Sequence, residues 1–292
     1  MGYRRLIIQE VTVITDSIAC LSREMVAQYG IEIVPINFYS DGRIYKDWVD
    51  ITPAEAYELF LKDTDSFKTA AAFPEDCLQA YRNASRRANN ILCITVSAKL
   101  SAVYNVARQA KEYARKELAQ VNIEVLDSQT AAAAQGFIVL AAARAAVEGK
   151  DLTEVIKAVE SVKNKVNLIA FMDTVRYVYR TGRIPRVASW AGSVLNIKPT
   201  FTISSGIPYF MGAVRNKERG MDNLLKVMRD KIGIKPVHVA VMHTYSLKDA
   251  ENLKKRVLNE FNCIELWLTE FSPVMGYACG TGTLGLAFYS DS

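Results

Sequence analysis

The chain has 292 residues, 50% of them apolar, and a formal net charge of +5. This length predicts about two domains, and the basic pairs stand among acidic residues, a pattern typical of solvated helix faces and not of a nucleic-acid-binding surface. The five cysteines have no CxxC spacing, which favours reduced thiols in a cytoplasmic protein, and with only two histidines no metal site is expected.

The first half of the chain alternates between strands and helices. Residues 11–17 are predicted to form the opening strand and an Asp-Ser turn. A helix is predicted to begin at Thr52, because Pro53 follows in the first turn and Glu55 completes a capping box. Further strands are expected at 91–97 and 121–127, and helices at 101–118 and 130–148. Such βαβ units predict a parallel sheet covered by helices on both faces.

The apolar segment 131–147 is the nearest approach to a membrane span. It contains Gln135, Gly136 and Arg144, and Glu148 follows it directly. The segment is therefore predicted to be a buried helix, and no stable membrane insertion is expected.

From about residue 161 the pattern changes, and we place a domain boundary near 160. A helix with start signals at Asp151 and Glu154 is expected to bridge it. The strands that follow have mixed connectivity and are predicted within NLIAF, TFTIS, IPYFMGAV, VHVAVMH and CIELWLTEF. The sequence thus predicts a two-domain α/β protein, with an N-terminal parallel-sheet domain at 1–160 and a C-terminal mixed-sheet domain at 161–292.

Segment 173–215 has the most distinctive order of elements. A helical pattern ends at Gly182, a residue that takes the left-handed cap conformation at low cost, and a basic turn with Arg183 and Pro185 follows. A second helix is predicted from the helix-spaced apolar residues Ala188, Trp190, Val194 and Leu195. IKPTFTISSGIPYF is then typical of two strands around a Ser-Ser-Gly turn.

This order resembles the DegV family, whose segment has an aromatic-rich helix, GGRI, a helix, LNIKP, a turn with Gly and then KVR. Other pieces match in the same order: VTVITDS at 11–17, Lys68-Thr69 before Pro74, VSAKLSAVYNVA at 96–107, LDSQTAAAAQG at 126–136, MHTYSLKDAENL at 242–253 and SPVMGYACGTGTLGLAF at 272–288. Only the first ten residues lie outside the resemblance. It implies a fatty-acid-binding protein with no established enzymatic reaction.

The resemblance also implies where the head group binds. Ser101 stands at the Ser of the family's SGTY-like motif, here SAVY, and Thr69 at the Thr of a TSxPS-like motif. In the family these two hydroxyls hydrogen-bond the fatty-acid carboxylate. The implied ligand is a long-chain fatty acid similar to palmitate, with no cofactor or metal. A carboxylate at the mouth of an apolar tunnel needs such donors, and a helix N-terminus adds a favourable partial charge.

Around these residues the sequence departs from the family's pattern. Ala70 and Ala102 replace a serine and a glycine, and Ala278 stands where a histidine is expected. Tyr277 either replaces the missing donor or is a packing residue. A charge-assisted hydrogen bond contributes about 1.5 to 3 kcal/mol to the binding free energy. Each buried methylene contributes about 0.8 kcal/mol, so a long acyl chain contributes more in total than the missing hydrogen bond. We therefore expect acyl-chain binding to be retained, with an altered head-group preference.

Two arginines carry separate expectations. Arg215 stands at the Arg of the family's KVR-like segment, and the resemblance associates that basic surface with presenting the acyl head to a fatty acid kinase. Because the preceding lysine is Ala213 here, contact with a phosphate or a partner and a solvated charge are equal alternatives. Arg183 is assigned to structure first, as a side chain that binds carbonyl groups or an acidic side chain in a fixed turn.

Two other classes of function are alternatives to a carrier. A hydrolase or phosphotransferase would use a serine such as Ser101 or Ser17 as its nucleophile, yet neither lies in a GxSxG elbow or a Walker A motif. A lipid-responsive interaction module would report acyl supply to another protein.

Four residues have side chains that could bind a ligand or take part in a reaction, but we interpret each of them as structural. Asp16 and Asp127 follow strands, where capping and turn formation are favoured over ligand contact. His238 is expected in the core, and His243 is expected to cap the helix that begins near Leu247.

Overall fold

A computed structural model describes residues 10–174, 176–177, 181–183 and 197–291. The predicted helix with Ala188, Trp190, Val194 and Leu195 lies outside the described residues, as do Pro185, residues 1–9 and part of the helical pattern before Gly182. The strands are β1 (Val11–Asp16), β2 (Glu32–Val34), β3 (Asn37–Ser40), β4 (Arg43–Lys46), β5 (Lys68–Ala70), β6 (Asn90–Thr95), β7 (Asn122–Asp127), β8 (Asn167–Phe171), β9 (Lys198–Ser204), β10 (Ile207–Val214), β11 (Val237–His243), β12 (Cys263–Glu270) and β13 (Leu284–Tyr289). The helices are α1 (Arg23–Tyr29), α2 (Pro53–Lys62), α3 (Pro74–Ser85), α4 (Val103–Glu117), α5 (Ala132–Val147), α6 (Leu152–Lys163), α7 (Lys217–Ile232), α8 (Leu247–Glu260) and α9 (Pro273–Cys279).

The N-terminal sheet consists of four parallel strands in the order β2-β1-β6-β7. Every residue of β1 is buried, as a parallel sheet covered on both faces requires. Val11 and Val13 face α5, whereas Ile14 points to the opposite face and belongs to the cluster that contains residues of α3 and α4. The predicted parallel sheet is confirmed.

The C-terminal sheet is mixed and has the order β10-β9-β8-β13-β11-β12. β11 and β12 are parallel, and the other neighbouring strands are antiparallel. Helices α7 and α8 contribute to the core on one face. The hairpin from β9 to β10 turns through Ser205 and Gly206, with φ values of 50° and 81°, so the predicted Ser-Ser-Gly turn is confirmed.

Helix α5 is buried between the two sheets. One apolar cluster contains Val13 of β1, Phe137 of α5 and Ala240 of β11, so the two halves of the chain share a core. A Cβ at Gly136 would lie 2.6 Å from the carbonyl oxygen of Ala19, which explains why this close approach uses glycine. The expected buried helix is confirmed. In the part of the chain that the structure describes, no helix combines the length and apolar character of a membrane span.

A third sheet was not predicted from the sequence. It has the order β4-β3-β5 and is antiparallel. Phe38 of β3 stacks on Phe67, which precedes β5, and Phe67 contacts Phe60 of α2. This aromatic cluster holds the small sheet against α2, and the sheet presents Thr69 on β5.

Two helices begin as predicted. Thr52 and Glu55 form a capping box at the start of α2, and Asp151 and Glu154 form another at the start of α6. Because α6 runs from Leu152 to Lys163, residue 160 falls inside this helix. The division into domains at 160 stays a prediction.

Candidate functional site

A cleft lies between the N-terminal sheet, the C-terminal sheet and α9, with a volume of about 160 Å³. Its lining is predominantly apolar and comes from both halves of the chain. The apolar lining includes Ile18, Ile36, Val96, Leu100, Ala131, Leu168, Ala170, Met172, Phe201, Ile203, Phe271, Val274 and Met275.

The side chains of β8 point alternately to the two faces of the sheet, and those on one face form a wall of the cleft. Leu168, Ala170 and Met172 line the cleft, whereas Ile169 and Phe171 belong to the core cluster on the opposite face of the sheet. Successive strand residues point to opposite faces. The cleft-facing side chains of β8 are therefore held in place by the core behind them.

The polar lining residues are less buried than the most deeply buried apolar ones. Ile36, Val96 and Phe271 are at most 2% exposed. By contrast, the polar lining residues are half-buried or exposed, so they lie nearer to solvent than these three side chains. We call five of them the polar rim: Thr69, Ser101, Thr181, Arg183 and Tyr277.

The structure brings together five of the residues singled out from the sequence. Thr69, Ala70, Ser101, Tyr277 and Ala278 all line the cleft. They come from β5, from the turn before α4 and from α9, three parts of the chain that are far apart in sequence. Their convergence on one opening makes it the candidate site for a ligand with a polar end.

Two of the residues named from the sequence are not among the described lining residues. Ala102 is exposed and is the residue that precedes the first turn of α4. Arg215 is exposed and follows β10 directly. Both are absent from the set of described side chains that line the cleft.

Two rim hydroxyl groups, those of Thr69 and Ser101, have no hydrogen-bond partner among the described residues. The Ser101 amide donates to the Ser97 carbonyl, at 3.1 Å. No described group is hydrogen-bonded to the side-chain hydroxyl of either Ser101 or Thr69. Ser101 also lies just before α4, whose N-terminus carries a positive partial charge. These groups can receive an anionic head group.

Beneath the cleft, the buried carboxyl of Asp16 holds two lining residues in place. It accepts hydrogen bonds from the amides of Val96, at 2.7 Å, and Ile18, at 3.1 Å. It also accepts one from the Gln135 side chain, at 3.2 Å. Burial raises the pKa of Asp16 to about 6. The predicted capping role is confirmed, since Asp16 caps the 3₁₀ turn Ser17–Ala19.

A second buried carboxyl fixes the start of α9. The Ser272 hydroxyl donates to Asp47 at 2.6 Å and accepts from the Val274 amide at 3.3 Å, and burial raises the pKa of Asp47. Sequence reasoning missed this pair. Ser272 followed by Pro273 is a helix-start signal that could have been used, but no local pattern links it to Asp47.

Neither histidine is among the described side chains that line the cleft. His243 Nδ1 accepts from the Ser246 amide at 3.3 Å, as expected for a cap near Leu247, and burial lowers its pKa to about 4. Burial also lowers the pKa of His238, but hydrogen bonds to Glu265 and Asp291 outweigh it and raise the pKa overall. Among the described residues, no group of three or more His, Cys, Asp or Glu could hold a metal ion.

Arg183 combines the predicted role with an unpredicted position. Its Nη1 donates to the Thr181 carbonyl at 3.0 Å and its Nε to the Leu100 carbonyl at 3.4 Å, so the predicted binding of carbonyl groups is confirmed. It also lines the cleft. Sequence reasoning missed this second feature, because the approach of Arg183 to Leu100 is a tertiary contact.

Gly276→Ala is expected to lower the free energy of unfolding by about 1 to 3 kcal/mol, the usual cost of overpacking. The added Cβ would lie 2.2 Å from Cε1 of Tyr57. That ring is buried, and its hydroxyl donates to the Phe271 carbonyl at 2.8 Å, so it cannot easily retreat. Urea unfolding measures the loss. The cost should shrink in a Tyr57→Leu background, and an equal cost in both backgrounds would contradict the explanation.

Comparison with known proteins places the chain among proteins of the same length and fold. The family profile described as "Uncharacterised protein, DegV family" matches residues 10–291. A DegV domain-containing protein of Clostridium perfringens is 32% identical over 284 residues, covering 97% of this chain and 99% of that protein. Solved structures similar to this one include those of two further proteins.

The first is a DegV family protein from Thermus thermophilus, whose structure is named for fatty acid binding. It has a TM-score of 0.86 and 28% identity, covering 96% of this chain and 99% of that one. The second, from Eubacterium ventriosum, is described as a stearic-acid-binding protein. It has a TM-score of 0.88 and 23% identity, covering 96% of this chain and 98% of that one, and shows the shared fold. With a family profile matched over nearly its whole length, the chain belongs to the DegV family.

Proposed function

We propose that this protein binds a long-chain fatty acid without chemically changing it, with the carboxylate held by Thr69 and Ser101 and the acyl chain in the cleft. The observation that carries the proposal is an apolar cleft that opens at a rim of hydroxyl groups. The fatty acid binding named for the Thermus thermophilus relative supports the choice of ligand.

Burial of the acyl chain supplies most of the binding free energy in this proposal. Each buried methylene contributes about 0.8 kcal/mol, and the loss of translational and chain freedom opposes it. The hydroxyls of Thr69 and Ser101 and the N-terminus of α4 orient the carboxylate at the opening. Ala278 and Ala70 leave room beside these groups instead of adding donors, and Tyr277 is the further rim hydroxyl.

Delivery of the bound fatty acid to a fatty acid kinase is the next step of the proposal. Arg215 is exposed just after β10, where its guanidinium is accessible to a phosphate or to an acidic partner surface. We place this role in the cytoplasm, since the five cysteines are free thiols and thiols stay reduced there.

Ser101→Ala and Thr69→Val are each expected to weaken palmitate binding about tenfold, because each removes one hydrogen bond to a charged group. Titration calorimetry of delipidated protein measures the change. Ser85→Ala is the matched control, since its hydroxyl bonds the Arg82 carbonyl on α3 and is not among the cleft-lining side chains.

Mass spectrometry of lipid extracted from the untreated protein tests the ligand itself. A fatty acid in about one-to-one ratio is expected. Protein that carries no fatty acid and fails to bind palmitate would overturn the proposed function, whereas binding that is unchanged in both hydroxyl variants would overturn only the assigned head-group position.

A further inference from the structure

Ser97 is a fully buried serine just after β6, and it is not among the described side chains that line the cleft. It begins the segment 97–101, which we call the Ser97 turn. The Ser97 carbonyl accepts hydrogen bonds from the amides of Leu100, at 2.9 Å, and Ser101, at 3.1 Å. The Ser97 hydroxyl accepts one from the Lys99 amide at 3.2 Å. Ser97 therefore fixes the conformation of the turn that carries the Ser101 hydroxyl.

The Ser97 hydroxyl also joins this turn to the C-terminal half of the chain. It donates to the carbonyl of Gly206, at 2.9 Å, in the tight turn between β9 and β10. A Cβ at Gly206 would lie 2.5 Å from the Ser97 hydroxyl oxygen, so the approach leaves no room for a side chain there. A second link is exposed, since Lys99 Nζ donates to the Ser205 carbonyl at 3.0 Å. The tip of the β9–β10 hairpin is thus attached to the Ser97 turn.

The same hairpin contributes to the apolar lining of the cleft. Phe201 and Ile203 of β9 and Pro208 of β10 are among the lining residues. One hydrogen bond therefore connects the wall against which the acyl chain is proposed to lie with the turn that carries a proposed head-group donor. Ser97 and Gly206 are both buried, so water does not easily replace the hydroxyl if it is removed.

We propose that Ser97 positions the Ser101 hydroxyl for the bound carboxylate by hydrogen-bonding the Ser97 turn to the Gly206 carbonyl. This inference rests on the proposed function and adds to it a positioning residue that does not contact the ligand. The turn keeps other support without the Ser97 hydroxyl, since the Ser97 amide donates to the Thr130 carbonyl at 2.9 Å. Loss of the hydroxyl therefore displaces the turn instead of unfolding it. A small displacement weakens the Ser101 hydrogen bond because such bonds depend steeply on geometry.

A double-mutant cycle of Ser97→Ala and Ser101→Ala tests the proposal, with palmitate binding to delipidated protein measured by titration calorimetry. Ser97→Ala is expected to weaken binding about fivefold in the wild-type background, because the Ser101 hydrogen bond is partly lost. In the Ser101→Ala background it should change the affinity by less than about twofold, since no hydroxyl remains to be positioned. Ser97→Cys retains the size of the side chain and a weak donor, and it should show the same pattern with a smaller effect.

Amide hydrogen exchange of the ligand-free protein measures the turn itself. The amides of Leu100 and Ser101 should exchange faster in Ser97→Ala than in the wild type, because the Ser97 carbonyl is their acceptor. Tyr81→Phe is the matched control, since it also removes a buried hydroxyl bond to a backbone carbonyl, from Tyr81 to Ala107 of α4 at 2.9 Å. It should leave the exchange of the two turn amides unchanged and palmitate affinity within about twofold of the wild type.

The outcomes separate this inference from the proposed function. Equal weakening by Ser97→Ala in both backgrounds would assign Ser97 a general structural role and overturn positioning, and so would unchanged affinity or unchanged exchange of the turn amides. Urea unfolding establishes that each variant is folded, and Ser97→Cys takes the place of Ser97→Ala in the cycle if the alanine variant is not. Unchanged binding in Ser101→Ala would refute the assigned head-group position and the inference with it. A wild-type protein that binds no palmitate would instead refute the proposed function.

Discussion

Ala170→Phe is expected to weaken palmitate binding more than 100-fold. Ala170 lies on β8 with its side chain toward the cleft, whose volume is about 160 Å³. A cavity of about 150 Å³ holds one benzene ring, so the new phenyl ring would occupy space that the proposed function assigns to the acyl chain. Displacing about four methylenes from an apolar site costs about 3 kcal/mol, which exceeds a hundredfold change in Kd.

A displacement assay with a fluorescent fatty acid measures this loss in Ala170→Phe and in a graded series with Val and Leu. Ala213→Phe is the matched control, because Ala213 lies exposed on β10 of the same sheet and is not among the cleft-lining side chains. Urea unfolding confirms that each variant is folded. Palmitate affinity within threefold of the wild type in a folded Ala170→Phe variant would show that the acyl chain binds elsewhere.

As the pH rises from 4 to 7, the stability of Asp16→Asn relative to the wild type is expected to increase. The relative stability of His243→Asn is expected to decrease over the same range. The pKa of Asp16 is raised by burial from 3.8 to about 6, so its contribution to stability is present at low pH and is lost as the pH rises through this range. The pKa of His243 is lowered by burial from 6.5 to about 4, so its contribution is present above 6.5 and is lost as the pH falls. Each shift corresponds to about 3 kcal/mol.

Denaturant unfolding at a series of pH values measures both effects. Between pH 4 and pH 7, Asp16→Asn should gain about 3 kcal/mol relative to the wild type, and His243→Asn should lose a similar amount. The double variant should keep a nearly constant difference from the wild type, because the two contributions cancel. Differences that run in the same direction for both single variants would contradict the assigned pKa values.

Local signals in the sequence predicted much of the fold correctly. The capping boxes at Thr52 and Asp151 formed, since a cap depends on residues within one turn. The parallel and mixed sheets also formed as predicted, because strand and helix periodicities are properties of short windows. Segment 131–147 was correctly interpreted as a buried helix, as its polar residues and its length indicated.

Features that depend on distant contacts were missed. The three-stranded sheet joins β3 and β4 to β5, and only the Asp41-Gly42 turn between β3 and β4 carries a local hairpin signal. The Asp47 contact with Ser272 joins residues from opposite ends of the chain. The cleft position of Arg183 depends likewise on its approach to Leu100. In the cleft, Thr69 and Ser101 were placed through the family resemblance, since a lone hydroxyl carries no local signal.

The helix shared by the two large sheets constrains how a ligand exchanges. Moving the sheets apart would expose the apolar surface that α5 buries against both, at a cost that grows with the area exposed. Entry of the proposed fatty acid would then use a smaller fluctuation of peripheral elements near the opening, such as α9 or the strand that carries Thr69. Dissociation rates would then follow the free energy of that local opening and could change without any change in equilibrium affinity.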